Sequence, residues 1–141
     1  MVIAEKTALL GLVLAVLFVA VSSRAGEVPL SLKAEKDNPG GSGTVVLDDG
    51  KIRIRAEGLR PNEVYTVWFV NRKPQKHEAG AGTAPYMFRS GGQGKSSYDS
   101  PLSESPFGKW SMIMVVRHPT GDPGDMKNMV PAFSAGIPKK S

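Results

Sequence analysis

Hydrophobic positions alternate with polar ones over short runs of this chain, and turn-forming residues separate the runs. Such alternation is typical of antiparallel β-strands with one buried face. It predicts about eight strands, near residues 28–32, 44–47, 52–56, 64–70, 86–88, 95–98, 109–118 and 130–137. Long helical periodicity is absent from the same region. The pattern predicts an all-β fold, a single immunoglobulin-like antiparallel β-sandwich.

The clearest one-faced strand covers residues 52–56. Ile52, Ile54 and Ala56 fall on one face, and basic residues occupy the other. Asp49 and Gly50 lie just before this run and just after the previous one. An Asp-Gly pair tolerates the positive φ that a tight turn requires, so it predicts a hairpin here.

Two other runs are apolar on both faces, which predicts central strands. Residues 64–70 include Tyr65 and Trp68, and residues 109–118 place Trp110, Met112 and Met114 on one face. The three aromatic side chains are expected in the core and not on an exposed sugar-binding platform.

Two segments between the predicted strands are candidates for function. Residues 71–82 are polar and glycine-rich and predict a long loop that contains His77. Asp122 followed by Pro123 predicts the start of a short helix, with aspartate as the N-cap and proline at the first helical position. Pro131 would end that helix.

The N-terminal residues 1–25 resemble an export signal. An apolar run at residues 8–21 follows Glu5 and Lys6 and precedes a small-x-small cleavage pattern that ends at Ala25. A secretory signal has an apolar stretch of about 7–15 residues, whereas a spanning helix needs about 20. We expect residues 1–25 to be a signal peptide and residues 26–141 to be the β-sandwich domain. If Ala25 is not the cut site, the same segment would be a membrane tether.

The composition narrows the possible chemistry. The chain has no cysteine, which excludes disulfides, a lipoprotein anchor, a thiolate metal site and a cysteine nucleophile. An exported protein without disulfides indicates a bacterial periplasmic or extracellular location. Without residues 1–25 the formal charge is +4, because that segment holds two of the basic and one of the acidic residues. This excess of positive charge is small and scattered, and it indicates ordinary solubilising charge. Export argues against nucleic acid as a partner.

Residues 58–71 resemble a recurrent element of exported bacterial β-sandwich domains. In these domains a Gly-Leu-x-Pro turn, here Gly58 to Pro61, leads into a Tyr-x-x-Trp strand, here Tyr65 to Trp68. The extracytoplasmic domain of anti-sigma-K factors is the family that this element resembles. The resemblance implies a sandwich fold. It carries no catalytic residues and no sigma-factor regulation, because no cytoplasmic sigma-binding domain precedes the apolar run.

A histidine and two methionines form the candidate metal site. His118 ends a predicted strand, and Met126 and Met129 are three residues apart in the predicted helix. Imidazole and thioether ligands together suit Cu(I), and copper is handled outside the cytoplasm. The alternative is that Met112 and Met114 fill the core and that Met126 and Met129 only pack this segment onto the sheet.

The remaining catalytic patterns are incomplete. No Gly-x-Ser-x-Gly elbow is present, and Arg89 stands where a phosphate-binding loop ending at Gly94 requires a glycine. A secreted hydrolase would need His77 or His118 bonded to both a serine and an acid. We therefore expect a non-catalytic binding or structural module of the bacterial envelope that contacts an envelope protein or a small ligand. It would have no cofactor and would contact the membrane only through an uncleaved leader. The alternative is a periplasmic copper-binding protein.

Overall fold

The computed structural model describes residues 26–139, and these residues contain nine β-strands and no helix. The strands are β1 (Val28–Ala34), β2 (Ser42–Leu47), β3 (Lys51–Glu57), β4 (Val64–Asn71), β5 (His77–Gly80), β6 (Met87–Arg89), β7 (Ser96–Pro101), β8 (Met112–His118) and β9 (Val130–Gly136). The predicted leader and its cleavage site lie outside the described residues. Within residues 26–139, no helix is long and apolar enough to span a membrane.

All strand pairs are antiparallel, and together they form one curled sheet. The order of the strands is β5-β4-β8-β9-β1-β2-β3-β7, and β6 also pairs with β4. β1 joins the two halves, because Val28 to Leu32 pair with β2 while Lys33 and Ala34 pair with β9. The sheet encloses one core, whose largest fully buried apolar side chains include Leu47, Ile52, Ile54, Tyr65, Ile113 and Phe133.

The predicted all-β class is confirmed, and each of the eight predicted runs overlaps a strand. The ninth strand, β5, lies where the sequence predicts a loop at residues 71–82, so that prediction is wrong for His77–Gly80. β5 pairs with β4 through its backbone, with Glu78 opposite Val70. Its first two side chains are exposed, and it therefore lacks the alternation that marks a buried strand.

The central positions predicted for residues 64–70 and 109–118 are also confirmed. β4 lies between β8 on one edge and β5 and β6 on the other, and β8 lies between β4 and β9. Trp110 departs from its predicted face, because β8 begins only at Met112. Its ring stacks on Phe69 of the core, with centroids 6.2 Å apart.

A bulge interrupts the pairing of β8 with β9. Val115 lies opposite Phe133, and Val116 lies opposite Pro131, so Ala132 is an extra residue on β9. Ala132 and Phe133 are consequently both buried in the core. A bulge is also one of the few places where a sheet tolerates proline.

Side-chain hydrogen bonds connect the two ends of the curled sheet. Tyr98 of β7 donates its hydroxyl to the carbonyl oxygen of Ala81, at 2.8 Å. Ser96 of the same strand donates to the carbonyl oxygen of Arg89 at 3.1 Å. The edge strand β7 is therefore attached to the chain segment that borders β4.

The helix predicted at Asp122 does not form. The Asp122 carboxylate accepts a hydrogen bond from the amide of Gly124 at 2.8 Å, and its carbonyl accepts from the amide of Asp125 at 3.1 Å. The Asp125 carboxylate accepts from the amide of Lys127 in the same way, at 3.1 Å. Aspartate side chains that bond amides two residues ahead stabilise turns, and here they replace the helix.

Candidate functional site

An apolar groove lies on the face of β4 and β8 that points away from the core. Its volume is about 400 Å³, which is within the usual range for small-molecule sites. We call it the outer-face groove. Its apolar lining consists of Trp68, Val70, Met114, Val116, Met129 and Pro131.

Strand register explains why these residues meet. Trp68 lies opposite Met114 on neighbouring strands, so the period of two puts both on the outer face. Trp68 is half-buried and is not a member of the core cluster, so the prediction that it lies in the core is wrong. The bulge in β9 brings Pro131 opposite Val116 on that face. Met112 and Met114 are half-buried on this side of the sheet and are not members of the core cluster, so their reading as core filler is wrong.

The hairpin between β4 and β5 supplies the charged rim of the groove. Arg72, Lys76 and Glu78 line this end, and all three are exposed. Within residues 26–139, neither Arg72 nor Lys76 forms an ion pair. Two basic groups and one acidic group therefore leave a local excess of positive charge at one end of an otherwise apolar groove.

On the same face of the sheet, a chain of hydrogen bonds joins Trp68 to His118. The indole Nε1 of Trp68 donates to the hydroxyl of Thr66 at 2.7 Å. The same hydroxyl lies 2.7 Å from Nε2 of His118, and Nδ1 of that ring lies 3.2 Å from the carbonyl oxygen of Asp125. Thr66 and His118 are both fully buried.

The partners of the imidazole fix its tautomer. A carbonyl oxygen only accepts, so Nδ1 of His118 carries the proton and donates it to Asp125. In the neutral ring Nε2 is then an acceptor for the hydroxyl of Thr66, which in turn accepts from Trp68. Every polar atom in this chain of hydrogen bonds has a partner.

The structure separates the three predicted copper ligands by environment. His118 is buried with both ring nitrogens engaged, Met129 lines the groove, and the side chain of Met126 is 42% exposed. A copper ion would gain the Nε2 lone pair only in place of the hydrogen bond from Thr66. Copper binding stays a prediction. Among the described residues, no group of three or more histidine and acidic side chains is arranged for a metal.

Asp125 holds the turn that covers His118. Its carboxylate accepts hydrogen bonds from the side-chain amide of Asn128 at 2.9 Å and from the hydroxyl of Thr120 at 3.0 Å. These bonds favour the ionised form, so the pKa of Asp125 lies below its ordinary value. The ionised side chain thus fixes the backbone whose carbonyl oxygen binds the imidazole.

Tyr86 forms the aromatic neighbour of Trp68. Their ring centroids are 5.6 Å apart, at an interplanar angle of 56°. Tyr86 has a φ of 63°, a conformation that bulky residues rarely adopt and that the surrounding contacts must stabilise. Its ring lies over Gly80, where a Cβ atom would overlap it.

The other predicted functional residue, His77, is exposed at the start of β5. Neither His77 nor His118 hydrogen-bonds both a serine and an acidic side chain within residues 26–139. The hydrogen bond between His118 and Thr66 resembles a nucleophile–base pair. Both residues are fully buried, however, so neither can contact a substrate.

A larger depression of about 570 Å³ lies on the outer side of β2, β3 and the start of β7. Its lining consists of short polar residues together with charged side chains such as Glu57 and Lys95. Arg55, which also lines it, bonds Asp99 at 2.9 Å and holds the pKa of that carboxyl below its ordinary value. The outer-face groove is smaller, but it is the better candidate because it alone of the two combines an extensive apolar lining with unpaired charge.

Comparison with protein family models, with curated proteins and with solved structures gives no match for this chain. The candidate site therefore rests on the geometry of residues 26–139. Sequence reasoning missed the groove because strands β4, β8 and β9 form it together. The signal was present in part, since residues 64–70 and 109–118 are apolar on both faces and only one face can point into the core.

Proposed function

We propose that this protein is an exported, non-catalytic binding module of the bacterial envelope, and that the outer-face groove is its binding surface. The observation that carries the proposal is the apolar lining of a groove of about 400 Å³ on the side of the sheet opposite the core. Val70 and Val116 are buried in this lining, and Trp68, Met114 and Met129 are half-buried. A concave, mostly apolar groove with a few polar groups at its rim is typical of small-molecule sites.

The rigidity of the groove supports the same proposal. Trp68 is held by Thr66 on one side and packs against Tyr86 on another. A site whose aromatic residue is fixed before the ligand arrives loses little conformational entropy on binding.

The proposal also includes an immunoglobulin-like sandwich as the finer description of the curled sheet. The division of β1 between β2 and β9 supports it, because the sheet then separates into two halves around one core. Export rests on residues 1–25, and N-terminal sequencing of the mature protein is expected to begin at Gly26. A protein that retains Met1 would instead carry a membrane tether.

A neutral fluorescent dye, Nile red, tests the binding surface directly. The wild-type protein is expected to bind Nile red and raise its emission. Met129→Lys should weaken binding about tenfold or more, because it places a charge in the apolar lining. Met126→Lys is the matched control, since Met126 lies in the same segment but does not line the groove. Equal binding by all three proteins, or no binding by the wild type, would contradict the proposal.

A further inference from the structure

We infer that the ligand of the outer-face groove is a single-chain anionic amphiphile, a long-chain carboxylate. Its alkyl chain would lie along Trp68, Met114 and Met129, with its carboxylate at Arg72 and Lys76. The inference rests on the proposed function and adds the chemical class of the ligand.

The apolar part of the groove suits a flexible alkyl chain. Met114 and Met129 contribute unbranched, polarizable side chains that adapt to an irregular partner. Trp68 adds a large fixed surface beside them. No charged residue lines the part of the groove formed by Val116, Met129 and Pro131, so this part offers no partner for a polar head group.

The charged end of the groove determines the sign of the charge that the head group of the ligand should carry. Arg72 and Lys76 lie in the β4–β5 hairpin and form no ion pair within the described residues. A guanidinium group binds a carboxylate through two parallel hydrogen bonds, and an ammonium group adds a point charge.

Glu78 is the one acidic group in the lining. It stands two residues after Lys76 and opposite Val70 on β4. A cationic head group at Glu78 would lie beside two positive charges, Arg72 and Lys76. An anionic head group between those two basic residues would lie beside one negative charge, Glu78. The exposed Lys73 in the same hairpin increases the positive excess.

The test compares three probes of equal chain length: laurate and dodecyltrimethylammonium below their micelle concentrations, and 1-dodecanol below its solubility limit. Trp110→Phe leaves Trp68 as the one tryptophan in residues 26–141, so its emission reports the groove. Laurate is expected to bind about tenfold more tightly than the alcohol, and the cation most weakly. Added salt should weaken laurate binding, because exposed charges are screened.

Charge variants separate the inference from the proposed function. Arg72→Gln with Lys76→Gln should lower laurate affinity about tenfold and leave dodecanol affinity unchanged. Lys51→Gln with Lys95→Gln, two exposed lysines outside the groove, is the matched control and should leave both affinities unchanged.

Each remaining outcome has a defined meaning. Equal affinity for laurate and dodecanol would overturn the anionic ligand and leave the binding surface intact, whereas binding of none of the three would also overturn the proposed function. Binding to phosphatidylglycerol vesicles without binding of monomeric laurate would make a membrane surface the occupant and overturn the inference. Dimerisation that Met129→Lys abolishes, measured by sedimentation, would make a second copy the occupant and overturn it too.

Discussion

The hydroxyl group of Thr66 has one hydrogen to donate and receives one hydrogen bond, and both of its partners are aromatic side chains. It accepts from Trp68 of the groove and, in the neutral form of the ring, donates to the buried His118. The groove is therefore connected to the buried imidazole by a single atom.

Replacing Thr66 by valine keeps the shape of the side chain and removes this atom. Nε2 of the fully buried His118 then lacks a partner, so Thr66→Val is expected to lower the free energy of unfolding by about 1–3 kcal/mol. Urea denaturation measures the change. Thr44→Val, at an exposed position of β2, should change stability by less than about 0.5 kcal/mol. Equal effects of the two substitutions would refute the hydrogen-bond chain.

Single residues also explain the main error in the sequence-based prediction. Asp122 and Pro123 fit the start of a helix, but the same aspartate also fits a turn that bonds the amide of Gly124. The side chain of Asp125 accepts hydrogen bonds from the backbone amides of Lys127 and Asn128. Sequence alone does not distinguish the two patterns, because both begin with a side-chain oxygen that bonds a nearby amide.

At the scale of elements, β5 depends on a close approach to an aromatic ring. Gly80 lies opposite Trp68, and the ring of Tyr86 occupies the space that a side chain at residue 80 would fill. Tyr86 can therefore pack against Trp68 only because residue 80 has no side chain.

Gly80→Ala is expected to displace the ring of Tyr86 and to destabilise the protein by about 1–3 kcal/mol. The emission of Trp68 should change as well, because its aromatic neighbour moves. Gly136→Ala on β9 is the matched control, since a Cβ atom there meets no other atom within 4 Å. In the Gly80→Ala/Tyr86→Ala double variant the two effects should not add, because the substitution at residue 86 removes the overlap. Additive effects would show that the ring is not the obstacle.

The elements that sequence could predict are those that bury a face. β3 shows clean alternation, and β4 and β8 carry apolar residues on both faces, so all three were predictable. β5 was not, because its pairing uses the backbone and its exposed side chains carry no periodic signal. The groove was not predictable either, since it requires the register between strands that are distant in sequence.

At the scale of the whole molecule, two buried tyrosines couple stability to alkaline pH. Burial raises the pKa of both Tyr65 and Tyr98 above the ordinary value of 10.0. Above that value the unfolded chain releases both protons while the folded chain retains them. The contribution to stability is therefore complete below about pH 10 and is lost as the pH rises through the folded-state pKa values.

Denaturation with urea at about pH 8 and about pH 11 measures this loss. The wild-type protein is expected to lose stability over this range. The Tyr65→Phe/Tyr98→Phe double variant should lose less over the range, although it begins less stable because the bond from Tyr98 to Ala81 is gone. Each single variant should remove part of the pH dependence. Identical slopes for all four proteins would exclude these tyrosines as the source.

The position of β9 determines when the pairing of the sheet can be completed during synthesis. β9 is the last strand within residues 26–139, yet in the sheet it lies between β8 and β1, the first strand of the same range. A nascent chain that has emerged only as far as residue 129 lacks the strand that pairs with both β8 and β1. The pairing of the sheet is therefore complete only after Val130–Gly136 has emerged, although β9 takes part in pairing with two strands that emerge before it.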